Sequence, residues 1–168
     1  MKHLILSLAT LITLSACGQG DKSQRPSPPA KASETLNNGT VVTIDYSQPS
    51  VKGRKIGSEL APYGKVWRTG ANEATVFEIS KDVQVEGKSL PAGKYGLYSI
   101  PGENEWVIIF NKTWNQWGTN YKEADDALRV KVKPGKASSF TEKMTFAVNK
   151  NGKVSLMWGD VQVDFKVE

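Results

Sequence analysis

Histidine and cysteine are nearly absent from this sequence. The one histidine, His3, and the one cysteine, Cys17, both lie among the first 17 of 168 residues. Residues 18–168 therefore hold no imidazole and no thiol. That absence excludes a disulfide, a zinc site built on Cys or His, His- or Cys-ligated haem, and Cys–His or Ser–His–Asp catalysis within these residues. We expect no cofactor and no catalytic residues of these kinds.

Long apolar runs are scarce too. Leu4–Leu14 is mostly apolar, but it is shorter than the roughly 20 residues that span a bilayer, and it is typical of a signal peptide. It ends in Leu14-Ser15-Ala16-Cys17, which resembles the bacterial lipoprotein signal. The resemblance implies cleavage after residue 16, a lipid on Cys17 and acylation of the new N-terminus by a fatty acid such as palmitate. An ordinary signal peptide with a chance cysteine is the alternative.

The lipoprotein signal predicts where the protein lies. We expect a lipid-anchored protein of the bacterial cell envelope, held in the outer membrane on a side that the signal leaves open. Residues 17–39 are rich in proline and serine and almost free of apolar side chains before Leu36. This composition predicts a flexible tether over residues 17–39, followed by one domain over residues 40–168.

Apolar and polar residues alternate through most of residues 40–168, which is typical of strands with one buried face. Asn151-Gly152 predicts a tight hairpin, Gly159-Asp160 predicts a further turn, and short helical turns are plausible near Gly57–Leu60 and Tyr121–Ala127. The pattern predicts an all-β, two-sheet antiparallel sandwich of roughly nine strands, with a closed β-barrel as the alternative. The expected strands are Val41–Tyr46, Thr75–Ser80, Val83–Glu86, Tyr95–Ile100, Trp106–Asn111, Leu128–Val132, Met144–Asn149, Lys153–Trp158 and Val161–Glu168.

Three motifs resemble the bacterial family known as domain of unknown function 2911. They are Pro62–Glu73, Leu90–Gly102 and Glu105–Asn111. The resemblance runs from about Thr40 to the C-terminus. It implies a secreted or lipid-anchored β-rich domain with no assigned reaction, and it carries no established catalytic residues to this chain.

Pro62–Glu73 is the first candidate for a functional element, because it does not alternate like a strand and concentrates hydrogen-bonding groups. In a functional interpretation, Arg68 beside Trp67 binds an anionic group, while Asn72 and Glu73 hydrogen-bond a polar ligand. In the structural interpretation, Arg68 pairs with Glu73 and ties the loop to the sandwich. The sequence favours the structural interpretation slightly, because arginine networks that order loops are common.

Tryptophans supply the second candidate. Trp106 and Trp158 fall on apolar phases of strands and are expected in the core. Trp114 and Trp117 follow a strand in a polar segment, where their rings would suit stacking on a sugar. A hydrophobic cap over one end of the sandwich is the alternative role for them.

These features leave three classes of function open. The first is a non-catalytic binding module for a polar or carbohydrate-like ligand, and the second is a structural or assembly protein that contacts another envelope protein. A carboxylate-based hydrolase is the third, although no spacing shows two acids facing each other. No recognised loop pattern supports a metal site. The net charge of +5 comes mostly from lysines on wet strand faces, and we expect no nucleic-acid partner.

Overall fold

Strands form nearly all of the regular structure between residues 21 and 168, the part of the chain that this computed structural model describes. The helical segments in that range are two 3₁₀ turns, Lys22–Gln24 and Glu123–Asp125. No helix within it has the length and apolar character needed to cross a bilayer. The prediction of an all-β chain is confirmed. The strands are β1 Pro29–Thr35, β2 Val41–Ser47, β3 Thr75–Ile79, β4 Val83–Val85, β5 Lys88–Leu90, β6 Gly93–Ile100, β7 Trp106–Asn111, β8 Asp126–Val132, β9 Pro134–Val148 and β10 Lys153–Lys166.

The strands form two layers that do not close into a barrel, so the predicted sandwich is confirmed. One layer is a six-stranded antiparallel sheet in the order β1-β2-β3-β6-β7-β8. The other contains the long hairpin β9–β10 and the short hairpin β4–β5. Backbone hydrogen bonds between Gln84 and Glu168, 2.8 Å in each direction, join the short hairpin to the end of the long one.

The core between the layers follows from side-chain alternation along each strand. Phe77 of β3, Phe110 of β7 and Phe165 of β10 are buried and meet with ring centroids 5.0–6.1 Å apart. Burial of each such side chain stabilises the fold by about 2–3 kcal/mol. Trp106 and Trp158 are 1% and 2% exposed, which confirms their predicted place in the core.

The prediction of a flexible tether is wrong for residues 29–35, which form β1. This strand pairs with β2 along its whole length, from Pro29 opposite Ser47 to Thr35 opposite Val41. An edge strand needs few apolar residues because its neighbour satisfies its backbone groups, and proline is tolerated at its first position. Composition alone underestimated this backbone contribution. The predicted signal peptide and Cys17 lie outside the described residues.

Turn chemistry was interpreted correctly at one glycine and wrongly at another. Asn151-Gly152 does close the β9–β10 hairpin, with Gly152 at φ +87°. Gly159-Asp160 does not turn the chain. Gly159, at φ +57°, lies inside β10, where the register with β9 shifts on both sides of it. A glycine in the left-handed region is a common source of a β-bulge, so the two predicted strands are one long bent strand.

The outer face of the six-stranded sheet carries a second, smaller apolar cluster. Ala74, Tyr98 and Ile109 are buried there, and Tyr121 packs against them. Tyr121 belongs to the loop between β7 and β8, residues 112–125, which folds back over this face. We call this segment the covering loop. It forms one side of the solvent-connected cavity in which the candidate site lies.

Candidate functional site

The position of Arg68 is set by the backbone of its neighbour, Trp67. Trp67 pairs with Ser99 of β6 through two hydrogen bonds, N to O distances of 2.7 and 2.9 Å. The Trp67 ring enters the core, stacks on Trp158 at 5.3 Å and meets Trp106 edge-on. Because successive residues of an extended segment point to opposite faces, Arg68 projects onto the outer face of the sheet.

Arg68 lines a cavity of about 300 Å³ between the outer face and the covering loop. Two backbone hydrogen bonds hold that loop in place, from Gly118 to Asn72 at 3.1 Å and from Ala74 to Gln116 at 3.0 Å. Gly118 is needed for the close approach, since a Cβ there would lie 2.9 Å from the Asn72 carbonyl oxygen and would collide with the Arg68 stem. The cavity is lined by Val66, Trp67, Arg68, Tyr98, Gly118, Thr119 and Tyr121.

The Arg68 guanidinium has no protein partner within residues 21–168. It makes no hydrogen bond or ion pair there, and its Nε is one of two buried side-chain polar atoms without a partner in that range. The alternative in which Arg68 pairs with Glu73 is therefore wrong, because the Glu73 carboxylate is bound elsewhere. An unpaired buried donor is costly, and buried polar groups in proteins are normally satisfied.

Tyr98 lines the same cavity. Its side chain is buried, and its hydroxyl oxygen accepts a hydrogen bond from Gln116 Nε2 at 3.1 Å. The hydroxyl proton has no acceptor among the described residues. Burial raises the pKa of Tyr98, although the Gln116 bond and the nearby Arg68 charge act in the opposite direction. The hydroxyl therefore stays protonated at neutral pH.

Tyr121 forms part of the same wall as Tyr98, with its ring centre 4.9 Å from that of Tyr98. Its hydroxyl donates to Asp126 at 2.7 Å and accepts from Arg129 at 2.8 Å. Burial and the Asp126 carboxylate raise the pKa of Tyr121 to about 12. Asp126 also accepts from Asn111 at 2.8 Å. These groups are fully engaged with each other, so they give the cavity a rigid wall rather than reactive groups.

Asn72, one of the predicted ligand contacts, does not line the cavity. Its Nδ2 donates to the carbonyl of Ser27 at 3.0 Å and to the hydroxyl of Ser47 at 3.3 Å. Its backbone lies at φ +60°, in the left-handed region that asparagine tolerates. Asn72 therefore ties residues 21–28, which we call the N-terminal arm, to the sheet, while its carbonyl holds the covering loop.

Glu73 binds the N-terminal arm as well. Its carboxylate accepts two bonds from Arg25 Nη1, at 2.9 and 3.0 Å, and lies 3.1 Å from the Lys22 ammonium. Partial burial favours the neutral acid, but bonds from the backbone, Arg25 and Lys22 outweigh it and lower the pKa of Glu73 to about 2. Glu73 is therefore ionised, and the pair intact, through the physiological range.

Of the predicted tryptophans, Trp67 is in the lining, whereas Trp114 and Trp117 lie outside the cavity. Trp117 is 48% exposed, and Trp114 is half-buried with the Lys94 ammonium 5.3 Å from its ring centre. The sequence analysis missed Tyr98 and Tyr121, which do line the site. Tyr98 carried a usable signal, since alternation with Leu97 places a large aromatic on the outer face of β6.

The side chains that line the cavity are a guanidinium, aromatic rings, hydroxyl groups and one valine. No carboxylate lines the cavity, and residues 21–168 contain no group of three or more metal-ligating side chains close enough to hold an ion. Two acids close to the Tyr121 side of the cavity have other partners, Asp125 with Thr113 and Asp126 with Tyr121 and Arg129. The guanidinium and the aromatic side chains are the groups that the cavity offers to a ligand.

Replacing Glu73 with Gln should release the N-terminal arm. The substitution removes the charge that holds Arg25 and Lys22, and a partly exposed pair of this kind contributes about 1 kcal/mol, or about a fivefold change in docking. Limited trypsin digestion of the full chain in detergent should then cut the Lys22–Ser23 bond about five times faster. Glu78→Gln is the matched control, since it breaks the similarly exposed pair with Lys94 and leaves the arm alone. Equal cleavage of all three proteins would contradict the docked arm.

Comparison with known proteins assigns the family. The family model described as protein of unknown function (DUF2911) matches residues 27–167, which begins just before β1 and includes every strand of both layers. Searches of curated proteins and of solved structures find no match. The match covers most of the chain and extends into the segment that composition assigned to a tether. The chain therefore belongs to the family of proteins of unknown function DUF2911.

Proposed function

We propose that this is a lipid-anchored bacterial envelope protein whose β-sandwich binds a small polar ligand in the cavity beside Arg68. One observation carries the binding part of the proposal: the Arg68 guanidinium lines a solvent-connected cavity and has no partner within residues 21–168. A guanidinium offers five donors, and leaving them idle beside buried Nε is unfavourable unless a ligand or solvent takes them.

The loop that carries Arg68 does not depend on its guanidinium. Thr69 lies at φ +48°, an unfavourable conformation for a β-branched residue, and it is held there by other bonds. Its hydroxyl bonds Ser99 Oγ at 2.9 Å, and its carbonyl accepts from Thr75 Oγ1 at 2.9 Å. Local strain of about 1–3 kcal/mol is typical of ligand sites. These bonds order the loop and leave Arg68 free for another role.

The dimensions suit a small ligand. About 300 Å³ is at the lower end of the range for ligand cavities, enough for a molecule the size of one sugar ring. The paired rings of Tyr98 and Tyr121 offer an apolar wall beside the polar donors. This combination favours a polar or carbohydrate-like ligand over a large apolar one.

The lipid-anchor part of the proposal rests on the motif Leu14-Ser15-Ala16-Cys17, which resembles the bacterial lipoprotein signal. Cys17 precedes Asp21, the first residue of the N-terminal arm, by four residues, a span of at most about 14 Å. With the arm docked through Arg25 and Glu73, a lipid on Cys17 would hold the domain close to the membrane. The cavity would then open within the envelope space.

Replacing Arg68 with Ala should leave the fold stable and remove binding. No hydrogen bond or ion pair is lost, so the free energy of unfolding should change by less than about 1 kcal/mol, from loss of stem packing on Gly118. Thermal unfolding of the full chain measures the change in stability. Binding is measured with the ligand that a screen against envelope glycans and metabolites identifies. Arg68→Met is the control, because it keeps the stem. A loss of about 3 kcal/mol in both variants would show that the guanidinium is structural.

Replacing Cys17 with Ser should block acylation. The variant should then appear in the soluble envelope fraction, or uncleaved in the inner membrane, while the wild type partitions with the lipidated proteins. Detergent-phase partitioning and the mass of the mature N-terminus measure this. Processed Cys17→Ser protein that still partitions with lipidated material would contradict the anchor.

A further inference from the structure

The Arg68 guanidinium is the group of the cavity that most needs a ligand. It makes no hydrogen bond or ion pair within residues 21–168, and its Nε is buried. Two hydroxyl groups belong to the same lining: Tyr98, whose oxygen accepts from Gln116, and Thr119, which makes no hydrogen bond to the described residues. Because a guanidinium only donates, it selects a ligand group that accepts.

The charge of the cavity points the same way. Arg68 is its one charged lining residue in the described part of the chain. Two acids, Asp126 and Glu123, lie near the Tyr121 side of the cavity. Their carboxylates are bound to Arg129, at 2.7 and 3.1 Å. Neither reaches the lining. A neutral ligand would leave the guanidinium charge without a counter-ion in a partly desolvated space, whereas an oxyanion would neutralise it.

Much of the rest of the lining is aromatic and closely packed. The Tyr98 and Tyr121 rings are 4.9 Å apart, and the Arg68 stem packs over Gly118. The space is therefore suited to an organic body joined to the anionic group. From these three features we infer that the cavity binds a small organic oxyanion, a carboxylate or a phosphate ester. Arg68 takes its oxygens in a fork and the Tyr98 hydroxyl donates a further bond.

This inference rests on the proposed binding function and adds the chemistry of the ligand. It also replaces two predicted contacts, because Tyr98 takes the role that was predicted for Asn72 and Glu73. Sugar acids, sugar phosphates and non-sugar organic acids all carry the required anionic group. The test therefore has to separate the anionic group from the body that carries it.

Matched probes make that separation. Calorimetric titration of the full chain in detergent would compare glucuronate and glucose 1-phosphate with glucose, and benzoate and phenyl phosphate with benzamide. At least one anion should bind, and its neutral counterpart should bind at least about tenfold more weakly, because a charged hydrogen-bonded contact contributes about 1.5–3 kcal/mol.

Variants test the two named donors. Arg68→Gln should weaken binding of the anion at least about tenfold, and Arg68→Lys should restore only part of it, since the charge returns without the fork. Tyr98→Phe keeps the ring and should weaken binding of the anion by about tenfold, with little effect on the binding of any neutral probe. Lys131→Gln is the control, because it removes a cation from an exposed position of β8 and leaves the cavity unchanged.

The outcomes separate the inference from the proposed function. One outcome is that a neutral probe binds as tightly as its anion at a site that Arg68→Gln disrupts. That result would overturn the inference of an oxyanion ligand and would support the proposed binding function. Equal anion binding by wild type, Arg68→Gln and Tyr98→Phe would place the anion elsewhere and overturn the inference. If no probe and no screened metabolite bound to the cavity, both proposals would be overturned.

Discussion

The two backbone hydrogen bonds between Trp67 and Ser99 determine the character of the site. They extend the sheet beyond the end of β3 by one residue pair, and so decide which side chain faces the core. Trp67 is locked by the stacked ring of Trp158, which prevents the loop from sliding by one residue. A slip of one residue would exchange the faces, burying Arg68 in the core and exposing Trp67. The open cavity is thus a consequence of core packing on the other side of the sheet.

The same loop joins the cavity to the N-terminal arm. Asn72 receives the covering loop through its carbonyl and binds the arm through its side chain, and Glu73 binds Arg25 in the arm. Asn72 and Glu73 therefore join this loop to two other segments, the covering loop and the N-terminal arm. Its ordering rests on these contacts and on the strained but well-bonded Thr69, and the Arg68 guanidinium is spared. This division of roles explains how a residue central to the loop can remain without a partner in the described chain.

Sequence reasoning succeeded where the determining interactions are local. The alternation around Trp106 and Trp158, and the Asn151-Gly152 turn, depend on residues a few positions apart, and both were interpreted correctly. Residues 29–35 failed because their stability comes from pairing with β2, which composition does not record. Gly159 failed because a bulge and a turn place the same demand on a glycine.

The site was only partly predictable for the same reason. Arg68 and Trp67 stand out in the sequence as polar and aromatic residues in a non-alternating loop. The partners of this loop are remote: Arg25 lies 48 residues from Glu73, and Tyr98 and Tyr121 reach Arg68 only through sheet register and the fold of the covering loop. Single-sequence patterns carry no information on those distances. Asn72 and Glu73 were assigned to the ligand because they are near Arg68 in the chain, whereas their side chains point to the arm.

The central claim is that the Arg68 guanidinium is free in the unliganded protein and available to a ligand. The most direct measurement is the NMR resonance of the Arg68 Nη–H protons, assigned by its loss in Arg68→Met. The account predicts a proton shift and rapid exchange with water typical of a guanidinium without a protein acceptor, and a downfield shift with slower exchange when an oxyanion such as glucuronate or phenyl phosphate is added. A resonance already shifted downfield and protected in the free protein would show that Arg68 has a protein partner, and would contradict the account.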